Sequence, residues 1–465
     1  MASYAPAQSD LGERRMIQEG LFSRTMDSLT GGVILAGFAL ALGATDVQIG
    51  VLGAIPLLAQ LAHLPALALL RRFLDRRPLV AWVAGAARLL LLVLAALPFL
   101  DTRVSRVDAL LALMAAYATL ATLSGAGWQV WIREMVPRDR LGAWFGRRMA
   151  ILAAVGLVTV LVAGEFVSLW RGGPLVAYAL LFALGGACGL ASALVLARTP
   201  SVVVASPHAE GVSLALRRTF CDSNYRRVLA FLAAWGFAAN LALPFVSVVL
   251  LRTLQYPVAL ATLLAALSQA TNVLGLRLWA PLTDRFGNKP VIALCAGLFV
   301  ATMLAWALTP KLPVVATLVA AVAVHALLGF ANAGLDVAST GLVMKMAPLD
   351  EAPAYLSSAS LVKALAAGVA PLLGGLLVAA LAGRLVLWFA PHDALFLASA
   401  LLGLAAVHGL LRFREEGEAP AEAVMRAMRR DVGQPSSVAG MRAFAHVASY
   451  VVEVGYRFGA PARKD

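Results

Sequence analysis

The chain has 465 residues, of which 61% are hydrophobic and only 14% are charged, and its mean hydropathy is +0.83. A water-soluble protein of this length needs far more polar surface, so the composition excludes a soluble globular protein and indicates a chain that lies mostly in lipid. The formal net charge of +13 does not indicate a nucleic-acid partner, because the basic residues fall between apolar segments rather than on one face.

Twelve apolar segments follow a polar beginning, and each is long enough to cross the roughly 30 Å hydrocarbon core of a bilayer as an α-helix. Their length and lack of alternation favour helices over barrel strands. Thr45 and Gln48 have the spacing of a capping box that opens the second segment. The predicted spans are 22–44, 48–70, 79–100, 107–131, 147–170, 174–197, 228–251, 258–282, 290–309, 314–343, 354–382 and 392–412.

Most of the 38 lysine and arginine residues lie before the first span, after the last span or in every second connection between spans. Loops rich in these residues stay on the cytoplasmic side of a membrane. The distribution therefore predicts that both termini are cytoplasmic. Arginine far outnumbers lysine, which is typical of a GC-rich bacterial gene and predicts a multi-pass protein of the cell inner membrane.

The two halves of the chain repeat each other. Gln60 in the first half corresponds to Gln269 in the second, and the Asp-Arg pair at 75–76 corresponds to the Asp-Arg pair at 284–285. Both correspondences have the same offset along the chain. Many transporters are built from such a duplicated half. The prediction is an all-α integral membrane protein with two pseudo-symmetric six-helix bundles. Its segments are a cytoplasmic N-terminal segment 1–21, an N-terminal bundle 22–197, a linker 198–227, a C-terminal bundle 228–412 and an amphipathic cytoplasmic tail 413–465.

The charged turns resemble a signature of the major facilitator superfamily. Residues 281–289 read Pro-Leu-Thr-Asp-Arg-Phe-Gly-Asn-Lys, close to the family's Asp-Arg-x-Gly turn, and the copy at Asp75 keeps the Asp-Arg pair without its glycines. The resemblance covers about residues 22–412 and implies the twelve-span fold of that family. The signatures of known subgroups do not occur within span four, within span five or after span six.

The resemblance implies that the charged turns form a conformational latch on the cytoplasmic side. An acid at a helix start is favoured by the helix dipole, and a neighbouring arginine can reach an acid at an adjacent helix end. The alternative is a solvated basic turn that obeys only the positive-inside rule. The candidate latch residues are Asp75, Arg76, Glu134, Asp284, Arg285 and Lys289.

Ionisable residues inside predicted spans are candidates for a substrate or proton site, because a charge at bilayer depth costs about 2.5–3.5 kcal/mol even on the mildest scale. Asp336 lies near the middle of span ten, one turn after Asn332, and Lys363 lies near the middle of span eleven. Asp336 and Lys363 could pair, either as a structural contact or as part of the site. Arg88 in span three has the same alternatives, and Asp27 near the inner end of span one is a weaker candidate.

Uncharged polar residues within spans form a second group of candidates, namely Asn240, Gln60 and Gln269. The alternative for these residues is a hydrogen bond between helices, worth only about 0.6 kcal/mol on average.

Sequence motifs of soluble hydrolases, zinc proteases and phosphate-binding loops do not occur, so the chain is not predicted to be an enzyme or to need a cofactor or metal. We expect secondary transport of a small-molecule substrate across the lipid bilayer by alternating access, with proton coupling left open and a monomer favoured. The alternative is a non-transporting membrane assembly factor or sensor of the same fold.

Overall fold

The computed structural model describes residues 6–63, 65–66, 75, 77–100, 104–136, 140–200, 219–348, 351–385, 388–415 and 417, with the backbone alone for 6–10, 133 and 134. These residues form thirteen α-helices and no β-strand. The helices are α1 Pro6–Thr30, α2 Gly32–Ala41, α3 Asp46–Ala59, α4 Arg77–Ala96, α5 Arg106–Met135, α6 Leu141–Leu169, α7 Pro174–Arg198, α8 Ser223–Val248, α9 Val258–Phe286, α10 Asn288–Leu308, α11 Val314–Met346, α12 Ala352–Ala380 and α13 Pro391–His408.

Ten helical segments of the described chain are long and apolar enough to cross a membrane, where the sequence predicts twelve. All ten fall in the third to the twelfth predicted spans. The first predicted span is divided between α1 and α2, neither of which meets the criterion alone. The described part of the second predicted span is the apolar helix Asp46–Ala62, and part of its remainder lies outside the described residues. The structure is therefore an all-helical, multi-pass membrane protein.

Helix α1 differs most from the prediction, because it begins at Pro6 and ends at Thr30 rather than running from 22 to 44. Gly31 has an extended backbone and Gly32 has a positive φ of 53°, so the chain turns before α2 begins. A positive φ is readily adopted by glycine alone. A Cβ atom on Gly31 would also lie 2.8 Å from the carbonyl oxygen of Asp27. The two glycines thus permit the break.

The capping box predicted for Thr45 is confirmed. The hydroxyl of Thr45 accepts a hydrogen bond from the backbone N–H of Gln48 at 3.3 Å, and the Gln48 side chain accepts one from the backbone N–H of Thr45 at 3.0 Å. This reciprocal pair satisfies two donors that a helix start leaves open.

The chain divides into two compact units. Unit 1 comprises Met1–His208, Pro244–Ala266 and Pro371–Leu376, and unit 2 comprises Ala209–Leu243, Leu267–Ala370 and Leu377–Asp465. In unit 1, α7 packs against both α1 and α4, and α4 also packs against α5. In unit 2, α10 packs between α11 and α13. These packing partners determine which side chains meet in each unit.

Apolar side chains cover much of the outer surface of the helices, as a lipid environment requires. Trp82 on α4, Val158 on α6 and Val314 on α11 are each more than half exposed. In water such a surface would be a liability, whereas lipid tails are as apolar as these side chains.

Candidate substrate site

Unit 1 contains a cavity of about 340 Å³ whose wall includes charged side chains. Five helices contribute to its wall, and α1 supplies the largest share. Its lining residues are Glu19, Gly20, Ser23, Arg24, Met26 and Asp27 of α1, Arg88 of α4, Tyr117, Ala121, Ser124, Gly125 and Trp128 of α5, Arg148 and Leu152 of α6, and Leu196 of α7. Charged residues are thus concentrated in one place within an otherwise apolar bundle.

A buried ion pair forms one side of this cavity. Arg148 donates from Nη2 to Oε2 of Glu19 at 3.2 Å, and the two side chains are only 11% and 6% exposed. Ser192 donates to the other carboxylate oxygen at 3.1 Å, and Nε of Arg148 donates to the carbonyl oxygen of Met16 at 3.3 Å. Both charges therefore have partners, which a buried ion pair needs in order to persist.

Aromatic rings hold Arg148 from a second side. Its guanidinium carbon lies 4.6 Å from the centre of the Trp128 ring and 6.0 Å from that of Trp144. Phe145 packs edge-on against both of these rings. A cation over an aromatic face is attracted by the ring quadrupole, by about 2 kcal/mol when the pair is desolvated. Arg148 is accordingly fixed by its surroundings.

Three donors of the cavity residues are buried without a hydrogen-bond partner among the described residues. They are Nε of Arg24, Nε of Arg88 and Nε1 of Trp128. Arg88 is 92% buried, being only 8% exposed. A buried donor without an acceptor costs about 1–3 kcal/mol, so such groups are rare and call for an explanation. A bound molecule with acceptor atoms would supply what these donors lack.

Asp27 provides negative charge near the two arginines. Its carboxylate interacts electrostatically with Arg24 and Arg88, without a direct ion pair among the described residues. The side chain is exposed and lines the cavity. Asp27 therefore remains available to a bound molecule.

A glycine on a neighbouring helix makes room for each of the three arginines. A Cβ atom on Gly20 would lie 2.7 Å from Nη2 of Arg148, and one on Gly189 would lie 2.6 Å from Cγ of Arg88. A Cβ atom on Gly156 would overlap Nε of Arg24. The cavity thus depends on small residues of α1, α6 and α7 as well as on its charges.

Of the site residues predicted from the sequence, the structure places Arg88 in this cavity, together with the weaker candidate Asp27. Sequence reasoning missed Glu19, Arg24 and Arg148, because the charge distribution places all three on the cytoplasmic side of the membrane. A helical signal does exist, because Glu19, Ser23 and Asp27 recur every four residues and so share one face of α1. The prediction that span one begins at residue 22 concealed this face.

The predicted residues of unit 2 lie elsewhere. Asp336 of α11 and Lys363 of α12 interact electrostatically, but no direct ion pair joins them in the described part of the chain. Both are exposed, and Asn332 is partly exposed one turn before Asp336. Asn240 donates to the carbonyl oxygen of Gly236 in its own helix at 2.9 Å. Their role as a substrate or proton site stays a prediction.

The two repeated glutamines occupy exposed positions in different units. Gln60 lies in the short 3-10 turn after α3 in unit 1, and Gln269 lies on α9 in unit 2. Among their neighbours, Asn272 donates from Nδ2 to the carbonyl oxygen of Gly329 at 3.2 Å. That contact is the hydrogen bond between helices that the alternative interpretation expects of such residues.

The first predicted latch has only one side chain in the described part of the chain. Asp75 accepts a hydrogen bond from the backbone N–H of Arg77 at 3.0 Å and lies 3.6 Å from the Arg77 guanidinium. Arg76 and the side chain of Glu134 lie outside the described residues. The latch role of these three residues stays a prediction.

In the second predicted latch, Lys289 makes the strongest contacts. It donates from Nζ to the carbonyl oxygen of Phe413 at 2.8 Å, and its ammonium lies 5.4 Å from the centre of the Phe413 ring. Arg285 lies over the ring of its neighbour Phe286, and Asp284 is exposed. The turn is therefore tied to the chain segment that follows α13.

Glu415, a carboxylate without any predicted role, completes this second turn. Glu415 accepts hydrogen bonds from the backbone N–H groups of Asn288 and Lys289 at 2.8–3.0 Å and forms an ion pair of 3.1 Å with Lys345. Burial opposes its ionisation, but these donors outweigh burial and hold the pKa of Glu415 below its usual value of 4.5. A carboxylate at a helix N-terminus is also favoured by the helix dipole.

The comparison with protein families finds that the profile of the Major Facilitator Superfamily matches residues 228–453. The comparison with curated protein sequences gives no significant match.

Solved transporters share the fold over most of the chain. The nucleoside transporter NupG (D323A mutant) superposes with a TM-score of 0.66 at 16% identity, covering 87% of this chain and 100% of its own. A bacterial homologue of the iron transporter ferroportin gives 0.66 at 13% identity, covering 88% and 99%. The xylose transporter XylE from E. coli gives 0.64 at 13% identity, covering 89% and 98%. The second half of the chain thus matches the profile of the Major Facilitator Superfamily, and the described chain shares its fold with these solved transporters.

Proposed function

We propose that the protein is a secondary transporter that moves a small solute across the bacterial inner membrane by alternating access. The observation that carries the proposal is the cavity of unit 1, where five charged side chains meet inside an apolar bundle. Charges buried among apolar membrane helices are costly, and in membrane proteins they commonly mark sites for substrates or ions. The family and its solved members favour transport over a non-transporting assembly factor or sensor.

Contacts within unit 1 support a gate that opens and closes. The segments 244–266 and 371–376 come from later in the chain but pack with the first helices. Asp46 forms an ion pair with Arg252, and Ser168 accepts a hydrogen bond from the backbone N–H of Ala259 at 2.9 Å. The positive-inside rule predicts that these residues lie on the outer side of the membrane. We propose that they separate when the cavity opens outward.

Close backbone approach strengthens this set of contacts. A Cβ atom on Gly50 would overlap the carbonyl oxygen of Pro371, and one on Gly375 would lie 2.6 Å from that of Asp46. Glycine at both positions lets α3 and α12 touch, as small residues do between membrane helices. Contacts of this kind can be made and broken without the loss of a large buried apolar surface.

Proton coupling is proposed for Asp336, with Asn332 and Lys363 as its neighbours. The support is that Asp336 interacts electrostatically with Lys363. A carboxylate near a cation can be neutralised either by that cation or by a bound proton, and acidic side chains within membrane spans often carry protons in transporters. We also propose that both termini lie on the cytoplasmic side and that the protein is a monomer. A latch at Lys289 and Glu415 is a further part of the proposal.

The test uses the full chain in proteoliposomes, incubated in a defined mixture of small metabolites with an imposed pH gradient. Mass spectrometry of the lumen should reveal at least one solute that accumulates only with the protein present. An uncoupler should lower that accumulation if protons drive transport. The absence of any accumulated solute in either direction would reject transport.

Two variants refine the result. Asp336→Asn should lose the dependence on the pH gradient, and full uncoupler-sensitive uptake by this variant would reject the assignment of Asp336. Removal of residues 418–465 should leave flux largely intact in a transporter. A function that disappears with the tail while no solute moves would favour the assembly-factor alternative.

A further inference from the structure

We infer that the cavity of unit 1 binds an organic anion, through a single carboxylate or phosphate held by Arg24, Arg88 and Trp128. The inference rests on the proposed function for the statement that this anion is the transported solute. Binding itself depends only on the geometry of the cavity.

The charges of the cavity leave a positive excess. Arg148 is neutralised by its ion pair with Glu19. Arg24 and Arg88 remain, opposed by the single carboxylate of Asp27. A bound monoanion would bring the cavity to neutrality, whereas a bound cation would add to the excess. In a low-dielectric environment this difference in charge has a large effect on affinity.

The unpartnered donors give the same preference from an independent observation. Nε of Arg24, Nε of Arg88 and Nε1 of Trp128 are buried and lack acceptors among the described residues. A carboxylate or phosphate offers several acceptor positions on one group, and arginine is the side chain that matches that geometry best. A ligand that is rich in donors would leave these three groups unsatisfied.

The remaining wall describes the rest of the ligand. Met26, Ala121, Leu152 and Leu196 present apolar surface to the cavity. Asp27 and Tyr117 also line the cavity. The ligand is therefore expected to carry an apolar portion beside its anionic group, with room for a hydroxyl or amino group that donates to Asp27.

The experiment measures binding by calorimetry to the full chain in lipid nanodiscs, so that it does not depend on flux. The probes are benzoate, benzamide and benzylammonium, which share one ring and differ in charge, together with phenyl phosphate and hexanoate. At least one of the three anions should bind at least tenfold more tightly than benzamide, and benzylammonium should bind more weakly still. Phenyl phosphate against benzoate shows whether the group preferred is a phosphate or a carboxylate.

Variants locate the binding. Arg88→Gln and Trp128→Phe should each weaken binding of the preferred anion, by at least tenfold for Arg88→Gln. Arg88→Lys keeps the charge and should fall between Arg88→Gln and the parent. The matched control is Arg277→Gln on α9, an exposed arginine outside the cavity, which should bind like the parent. Thermal unfolding of each variant shows whether it is folded.

Three outcomes would overturn the inference. They are equal binding of benzamide and the anions, no binding by any anionic probe, and undiminished anion binding by folded Arg88→Gln. Anion binding without flux in proteoliposomes would leave the inference standing and reject transport. Flux of a neutral or cationic solute that Arg88→Gln does not reduce would support transport and show that the transported solute is not this anion.

Discussion

The carboxylate of Glu415 accepts hydrogen bonds from the backbone N–H groups of Asn288 and Lys289 at the start of α10. Glu415 therefore caps a helix that begins more than a hundred residues earlier in the chain. The amide of Asn288 adds a further hydrogen bond at 2.9 Å. The turn before α10 is held at Gly287, whose φ is 90°. The segment after α13 is thereby fixed to the turn that the sequence repeats in each half.

Replacing Glu415 should destabilise the protein. Glu415→Ala leaves buried donors of Asn288 and Lys289 without an acceptor, at a cost of about 2–3 kcal/mol. Glu415→Gln keeps one acceptor oxygen and should cost about half as much. Thermal unfolding in detergent measures both, with Glu165→Gln, an exposed acid on α6, as the control. A Glu415→Ala variant as stable as the control would show that the cap contributes nothing.

Acidification should remove the advantage that Glu415 confers. Its pKa in the folded protein lies below the value of about 4.5 for the unfolded chain, so its contribution is fully present above the unfolded pKa. That contribution is lost as pH falls through the folded pKa. The difference in unfolding temperature between parent and Glu415→Gln should therefore be constant from pH 7 to pH 6 and shrink below pH 4.5. A difference that grows on acidification would contradict the assigned direction.

Replacing one partner of the ion pair in the cavity should destabilise the protein more than expected from the effect of replacing both partners. Glu19→Gln leaves the guanidinium of Arg148 uncompensated in a buried position, at a cost of about 3 kcal/mol. The double variant with Arg148→Gln should be less destabilised than the sum of the two single variants, because neither charge is then left alone. Chemical unfolding of all four proteins measures this coupling. Strict additivity would mean that the two residues do not interact.

Replacing Gly156, which packs against Arg24, should affect anion binding more than it affects the stability of the protein. Gly156→Ala places a Cβ atom where Nε of Arg24 now lies, so the arginine must leave its position in the cavity. Anion binding should fall severalfold, while the unfolding temperature changes little, since alanine favours the helix by about 1 kcal/mol. Gly146→Ala, on the same helix and facing open space, is the matched control. Equal binding by both variants would show that Arg24 is not held there.

The apolar helices could be predicted closely from the sequence. The spans predicted to begin at 174, 258 and 314 begin at those residues in the structure. Hydropathy succeeds there because each residue contributes to membrane insertion nearly independently of the others. The capping box predicted at Thr45 agrees with the apolar run that follows it.

The cavity could not be predicted in the same way, because its residues look polar one at a time and are stable only as a group. The sequence predicts that Glu19 lies in the cytoplasmic segment 1–21, yet it is 5% exposed, since Arg148 and Ser192 satisfy its carboxylate. Glu415 likewise falls in the predicted cytoplasmic tail 413–465, yet it is buried because its carboxylate accepts hydrogen bonds from Asn288 and Lys289. Partners that lie more than a hundred residues away leave no periodic signal in the sequence.

The break at Gly31 and Gly32 allows the charged residues of α1 to move together as one rigid body. Glu19, Arg24 and Asp27 stand on one rigid rod that ends at Thr30, and the torsion angles of two glycines connect that rod to α2. A rotation there would tilt all three charges together without unwinding either helix. A swing of the rod would therefore change which side chains face the ligand while the outer half of the span stayed in place.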